Sequence, residues 1–135
     1  MRPDETGMPA TRVILDTNIF VAAGFNPGSR SARILAAVRE GRLRMVWSET
    51  TRGETERIIR KIPPLAWADV ADLFREADRF DGEMHPERFD VIPDPADRPF
   101  AALAAATGAT LVSLDDHLLA HRAALGLPIV RPDEL

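Results

Sequence analysis

Consecutive apolar positions constrain this chain more than any other feature. Val13-Ile14-Leu15 and Leu111-Val112-Ser113-Leu114 are short β-type runs without a regular polar alternation. A strand of that kind buries both faces, as strands of parallel sheets do. Similar runs occupy 12–15, 43–47, 89–92, 110–114 and 128–130, and helix-forming segments separate them. Asp16 opens a helix carrying Ile19, Phe20 and Ala23, and Ser29 or Ser31 caps a second that ends at Gly41. Ser48 caps a third, running to about Ile62 with Ile58, Ile59 and Ile62 as its stripe, before Pro63-Pro64 stops it. Further helices are predicted over 65–80, from near Arg98 to Thr107, and over 116–124. Strands alternating with helices predict an α/β fold of three layers, α/β/α, around a central, mainly parallel sheet.

At 135 residues the chain suits one domain, predicted as residues 12–135 behind a flexible segment 1–11. It has no cysteine, which excludes disulfides, zinc–thiolate sites and cysteine nucleophiles. No apolar run approaches the ~18 residues of a membrane span. The first ten residues lack a signal-peptide core, so a cytoplasmic location is expected. The net charge of −4 argues weakly against a general nucleic-acid binder. It leaves room for a nuclease whose acidic site takes up metal. Among the basic residues only Lys61 is lysine, and arginine can grip phosphate bidentately, although a solubilising role explains the arginines as well.

Acidic residues stand just past the ends of the buried strands: Asp16 after Val13–Leu15, and Asp115 after Leu111–Leu114. Ligands of open parallel sheets bind at that edge. Asp97, in Asp94-Pro-Ala-Asp97, and Glu54, in the helix after Ser48, are candidates to join them. Carboxylates brought together repel unless a cation lies between them, which points to Mg²⁺ or Mn²⁺ and phosphoryl chemistry. Each also has a plainer role. Asp16 and Asp115 are suited to capping helices, as is Asp116 beside the latter. Glu54 suits a solvated helix face, and Asp94 and Asp97 compete for a cap and a ligand position. Gly53 is unfavourable within a helix and would allow a close approach. His117 and His121 share a helix face without an evident third ligand. An aspartyl phosphatase would need a second aspartate where Asn18 stands.

Taken together, V-I-L-D-T-N-I-F-V-A-A, S-E-T-T-R-G-E and D-P-A-D-R-P-F-A-A-L…T-L-V-S-L-D-D-H-L-L resemble the motifs of the PIN-domain ribonucleases, in order, over about 12–133. The chain is most similar to stand-alone prokaryotic members, many of them VapC-type toxins of type II toxin–antitoxin pairs. The resemblance implies that Asp16, Glu54, Asp97 and Asp115 form an acidic metal-binding and catalytic quartet. Asn18 and Ser113 would be polar helpers, with Asp94 and Asp116 in support. It further implies Mg²⁺- or Mn²⁺-dependent endonucleolytic hydrolysis of RNA leaving 5′-phosphate and 3′-hydroxyl ends, a cognate antitoxin and a homodimer. One departure stands out: Arg98 occupies a position that is often acidic in the family. A guanidinium in the metal site would neutralise it, and the alternative reading is a catalytically impaired PIN fold that binds RNA or protein.

Overall fold

In the computed structural model, which describes residues 10–135, four strands form one parallel sheet. They are β1 (Thr11–Leu15), β2 (Leu43–Met45), β3 (Thr110–Val112) and β4 (Ile129–Val130), in the order β2-β1-β3-β4. Residues 1–9 of the expected flexible segment lie outside the described residues, and Thr11 already belongs to β1. β1 registers Val13 against Met45 on one side, and Leu15 against Val112 on the other.

Both faces of the sheet are covered, as the unbroken apolar runs require. Val13 and Leu15 pack with Phe20, Leu35, Val38 and Trp47 on one face. Ile14 packs with Phe100, Leu103, Leu111 and Leu118 on the other. The first face is roofed by α1 (Thr17–Phe25), α2 (Arg30–Arg39) and α3 (Glu49–Ile59). The second is roofed by α4 (Arg98–Thr107) and α5 (Asp116–Ala120). A short α6 (Arg122–Leu125) leads into β4. Ser29 caps α2, and Gly108 ends α4 at φ +74°, a left-handed turn that costs glycine nothing.

Four local expectations need correction. Residues 65–80 form not one α-helix but 3₁₀ turns at Trp67–Asp69, Ala71–Leu73 and Glu76–Asp78. Their buried residues, Trp67, Val70 and Leu73, recur every third position, the period at which 3₁₀ side chains eclipse. Residues 89–92 are not a strand. Ile92 N–H donates to the Phe89 carbonyl (3.0 Å), and the Ile92 carbonyl accepts from Arg98, so this backbone bonds locally. The buried face of α3 is Thr51, Thr55 and Ile59 rather than an isoleucine stripe, because the polar threonines find partners inside. The helix expected over 116–124 breaks at His121, whose ring Nδ1 donates to the His117 carbonyl (2.7 Å).

Candidate functional site

β1 is flanked by β2, the next strand in sequence, and by β3, which the chain reaches only after crossing to the far side. The direction of winding reverses between β1 and β3. Open α/β sheets bind ligands at the carboxyl end of such a switch point. Asp16 follows β1 there, and Asp115 follows β3 three residues past Val112. The turn Pro95–Asp97, which leads into α4, delivers Asp97. One carboxylate oxygen from each of Asp16, Asp97 and Asp115 lies within 4.8 Å of the others.

The trio is held by short-range polar bonds. Asp16 is 3% exposed and accepts from Thr17 N–H (2.8 Å), Ser113 Oγ (2.7 Å) and Asn18 Nδ2 (3.3 Å). The fully buried Ser113 also accepts from Asp115 N–H (2.9 Å), so one hydroxyl spaces two of the three acids. Asn18 Oδ1 accepts from Leu114 N–H (3.2 Å), tying the start of α1 to the end of β3. Asp16 and Asp115 act as N-caps as well as members of the trio, Asp115 accepting from His117 N–H (2.8 Å). Their two candidate roles are compatible because each carboxylate has two oxygens.

The competition between Asp94 and Asp97 is divided cleanly. Asp94 accepts from Ala96 N–H (3.0 Å) and so caps the turn. Asp97 stands at the N-cap of α4 but makes no capping bond. Its carboxyl is pushed up to about 7, first by burial, then by the charge of Asp16, by a hydrogen bond and charge from Asp115, and by the charge of Asp94. Burial, with some help from the charge of Asp115, also raises Asp16 despite its three donors. Both shifts are those of an uncompensated acidic site. A hard cation with oxygen ligands, such as Mg²⁺ or Mn²⁺, fits this donor set.

Arg98 does not supply the missing charge. Its Nε donates to the Ile92 carbonyl (3.0 Å) and its Nη2 reaches the Asp90 carbonyl (3.5 Å), so the guanidinium fastens backbone leading to Asp94. Glu54 stands outside the close trio. Its carboxylate accepts from Arg57 Nη2 (2.6 Å) and Nε (3.2 Å) on the same helix. Asp116 pairs with Arg131 (3.1 Å) and is not one of the close trio. Nothing lies within 4 Å of where a Gly53 side chain would begin, so no close approach explains that glycine. An apolar cleft of about 390 Å³, lined by Phe20, Leu35, Ile59, Leu65 and Val70 among others, contains none of the trio and offers a cation no carboxylate of that cluster.

Sequence reasoning overlooked Thr55. Its hydroxyl lies 3.0 Å from that of Thr17 and links α3 to the residue after Asp16. The four-residue recurrence of Thr51, Thr55 and Ile59 was the available signal. The family model described as PIN domain matches residues 12–117. No curated protein matches the chain.

Proposed function

The chain belongs to the PIN-domain family, whose members are generally nucleases, and from that premise we propose that it is a divalent-metal-dependent endoribonuclease. The observation that carries this reading is the convergence of Asp16, Asp97 and Asp115 at the switch point. Clustered acids that raise one another's proton affinity are costly to a fold, and such costs concentrate at functional sites.

Asp16, Asp97 and Asp115 would hold Mg²⁺ or Mn²⁺, with Glu54 as a fourth acidic group beyond them. When bound, the ion supplies Lewis-acid stabilisation of the phosphodiester and lowers the pKa of water. The chain's own contribution is to fix the ligands before substrate arrives. Ser113 and Asn18 orient the Asp16 carboxylate, Ser113 also holds the Asp115 backbone, and Asp97 is left uncapped to turn inward. No side chain forms a nucleophile–base pair of the serine-hydrolase kind in the trio, which fits direct hydrolysis by water.

Within this reading the protein is the cytoplasmic toxin of a type II pair, restrained by a cognate antitoxin and acting as a homodimer. That finer assignment rests on the resemblance of the sequence motifs to those of stand-alone prokaryotic PIN proteins. Among the described residues, no helix is long and apolar enough to cross a membrane.

The deciding experiment is cleavage of a mixed single-stranded RNA pool with Mg²⁺ or Mn²⁺, beside EDTA and Asp16→Asn. Cutting is expected only in wild type with metal, yielding 5′-phosphate ends. Equal cutting by wild type and Asp16→Asn would overturn the mechanism.

A further inference from the structure

Thr17 and Thr55 form a pair of hydroxyls whose protons can be assigned by elimination. Their Oγ1 atoms lie 3.0 Å apart, so one donates to the other. Thr55 is 1% exposed. Among the described residues its hydroxyl meets no other acceptor, in contrast to Thr51, whose hydroxyl donates to the Ser48 carbonyl (3.1 Å). A sealed hydroxyl must place its one proton on a partner, or a buried donor goes unmet. Thr55 is therefore the donor and Thr17 the acceptor. That leaves the Thr17 proton free, and Thr17 is the half-buried member of the pair, open to solvent. Its place in the chain sets that free O–H beside Asp16: Thr17 follows Asp16 directly, and its backbone N–H donates to the Asp16 carboxylate (2.8 Å). The Ser113 hydroxyl, by contrast, already donates its proton to Asp16 (2.7 Å).

We propose that the Thr17 hydroxyl donates to a non-bridging oxygen of the substrate phosphodiester, and that Thr55 is the positioning residue that points it there. This assignment rests on the nuclease reading and adds to it a direct contact between protein and substrate. An acidic site repels a phosphodiester wherever a metal does not face it. A neutral hydroxyl donor binds a phosphate oxygen there without competing with the cation, as an arginine or lysine in the same place would. A hydroxyl that already accepts a hydrogen bond is also the stronger donor, because chained hydrogen bonds polarise one another. With its oxygen held by Thr55, the Thr17 hydroxyl cannot turn its proton back into the protein. A purely structural tie between α1 and α3 would be served by either direction of donation and would leave cleavage unaffected in an intact fold.

The test uses the full chain with Mn²⁺ and a single-stranded RNA that wild type cleaves. Thr17→Val should lower kcat/KM about ten-fold, the scale of a hydrogen bond to a charged group, with the Mn²⁺ dissociation constant unchanged. Thr17→Ser keeps the hydroxyl and should recover most of that loss. Thr55→Val should lose less than Thr17→Val, and should add little in the Thr17→Val background, because it acts through Thr17. The same RNA is then made with a phosphorothioate at the cleaved position, as each of its two diastereomers. Sulfur accepts hydrogen bonds more weakly than oxygen. Sulfur in place of the contacted oxygen should therefore slow wild type and slow Thr17→Val much less, whereas a change in packing would not single out one oxygen. Cleavage by Thr17→Val at the wild-type rate overturns the inference. So does a weakened Mn²⁺ affinity that accounts for its loss, or a sulfur effect equal to that of wild type. Those outcomes leave the nuclease reading intact. Failure of wild type to cut any RNA would overturn that reading and the inference with it.

Discussion

Asp97 gives the site its clearest pH signature. A carboxyl whose pKa is higher in the fold than in the unfolded chain binds its proton more tightly when folded. Folding is therefore favoured at low pH, and that advantage is lost as pH rises from the unfolded value of 3.8 through about 7. The raised pKa of Asp16 acts in the same direction. In EDTA, the thermal midpoint of wild type should fall more steeply between pH 4.5 and 7.5 than that of Asp97→Asn, which lacks the titrating group. (These two pH values, about 4.5 and 7.5, simply bracket the window set by the shift.) Superimposable pH profiles for the two proteins would show that Asp97 carries no such strain. The same scale resolves the meaning of Arg98. Sequence alone suggests a cation intruding on a metal site, but the long side chain reaches back to the carbonyls of Ile92 and Asp90. Residue identity at one position does not reveal direction, because an arginine can place its charge several ångströms from its own Cα.

At the scale of elements, α3 shows how a helix can join a site without contributing to the close metal-ligand group. Its inward face, Thr51, Thr55 and Ile59, locks it to the sheet and to α1, while Glu54 pairs with the exposed Arg57 outside that face. Ser48 and Thr51 form a reciprocal cap at its start, Ser48 Oγ accepting from Thr51 N–H (3.2 Å) and Thr51 Oγ1 from Ser48 N–H (2.9 Å). Gly53 is exposed, has ordinary helical backbone and faces open space. Gly53→Ala should therefore stabilise the protein by about 0.5–1 kcal/mol, measured by urea unfolding, with cleavage unchanged. Destabilisation would mean that the space beside Gly53 is occupied in solution. The 3₁₀ segment teaches the complementary lesson. Leu65, Val70, Leu73 and Phe74 resemble a helical stripe, yet the packed positions Trp67, Val70 and Leu73 follow a period of three. Trp47 and Val38 also hold the segment from outside, the indole N–H donating to the Arg75 carbonyl (2.7 Å) and the Val38 carbonyl accepting from Arg75 (2.9 Å). Tertiary bonds overrode local propensity there.

Across the whole molecule, site and stability are linked. A cation that binds the folded acids and has little affinity for the unfolded chain stabilises the fold by mass action, by about 2.7 kcal/mol at a hundred-fold excess over Kd. Saturating Mn²⁺ should raise the thermal midpoint of wild type at pH 8 (about one unit above the Asp97 pKa). The variant with Asp16, Asp97 and Asp115 all changed to asparagine should show no such rise. It should also be the more stable protein in EDTA, since it lacks the repulsion. A similar metal response in both proteins would place the cation elsewhere.

What the sequence determined by itself is the layered parallel fold and the presence of acids at its strand ends. Unbroken apolar runs such as Val13–Leu15 must be buried on both sides, and residues that follow such strands emerge together at one edge. That logic is local and periodic, so it is legible without coordinates. It located Asp16 and Asp115, and it narrowed the choice at Asp94 and Asp97 without making it. Tertiary structure decided the rest. It brought Asp97 in and left Asp94 as a cap, turned Arg98 outward to the backbone, set Glu54 on Arg57 and made 65–80 a run of 3₁₀ turns. The reason is physical: strand burial follows from the order of residue types along the chain, whereas the partner of a long or charged side chain depends on what distant segments bring within about 3 Å of it.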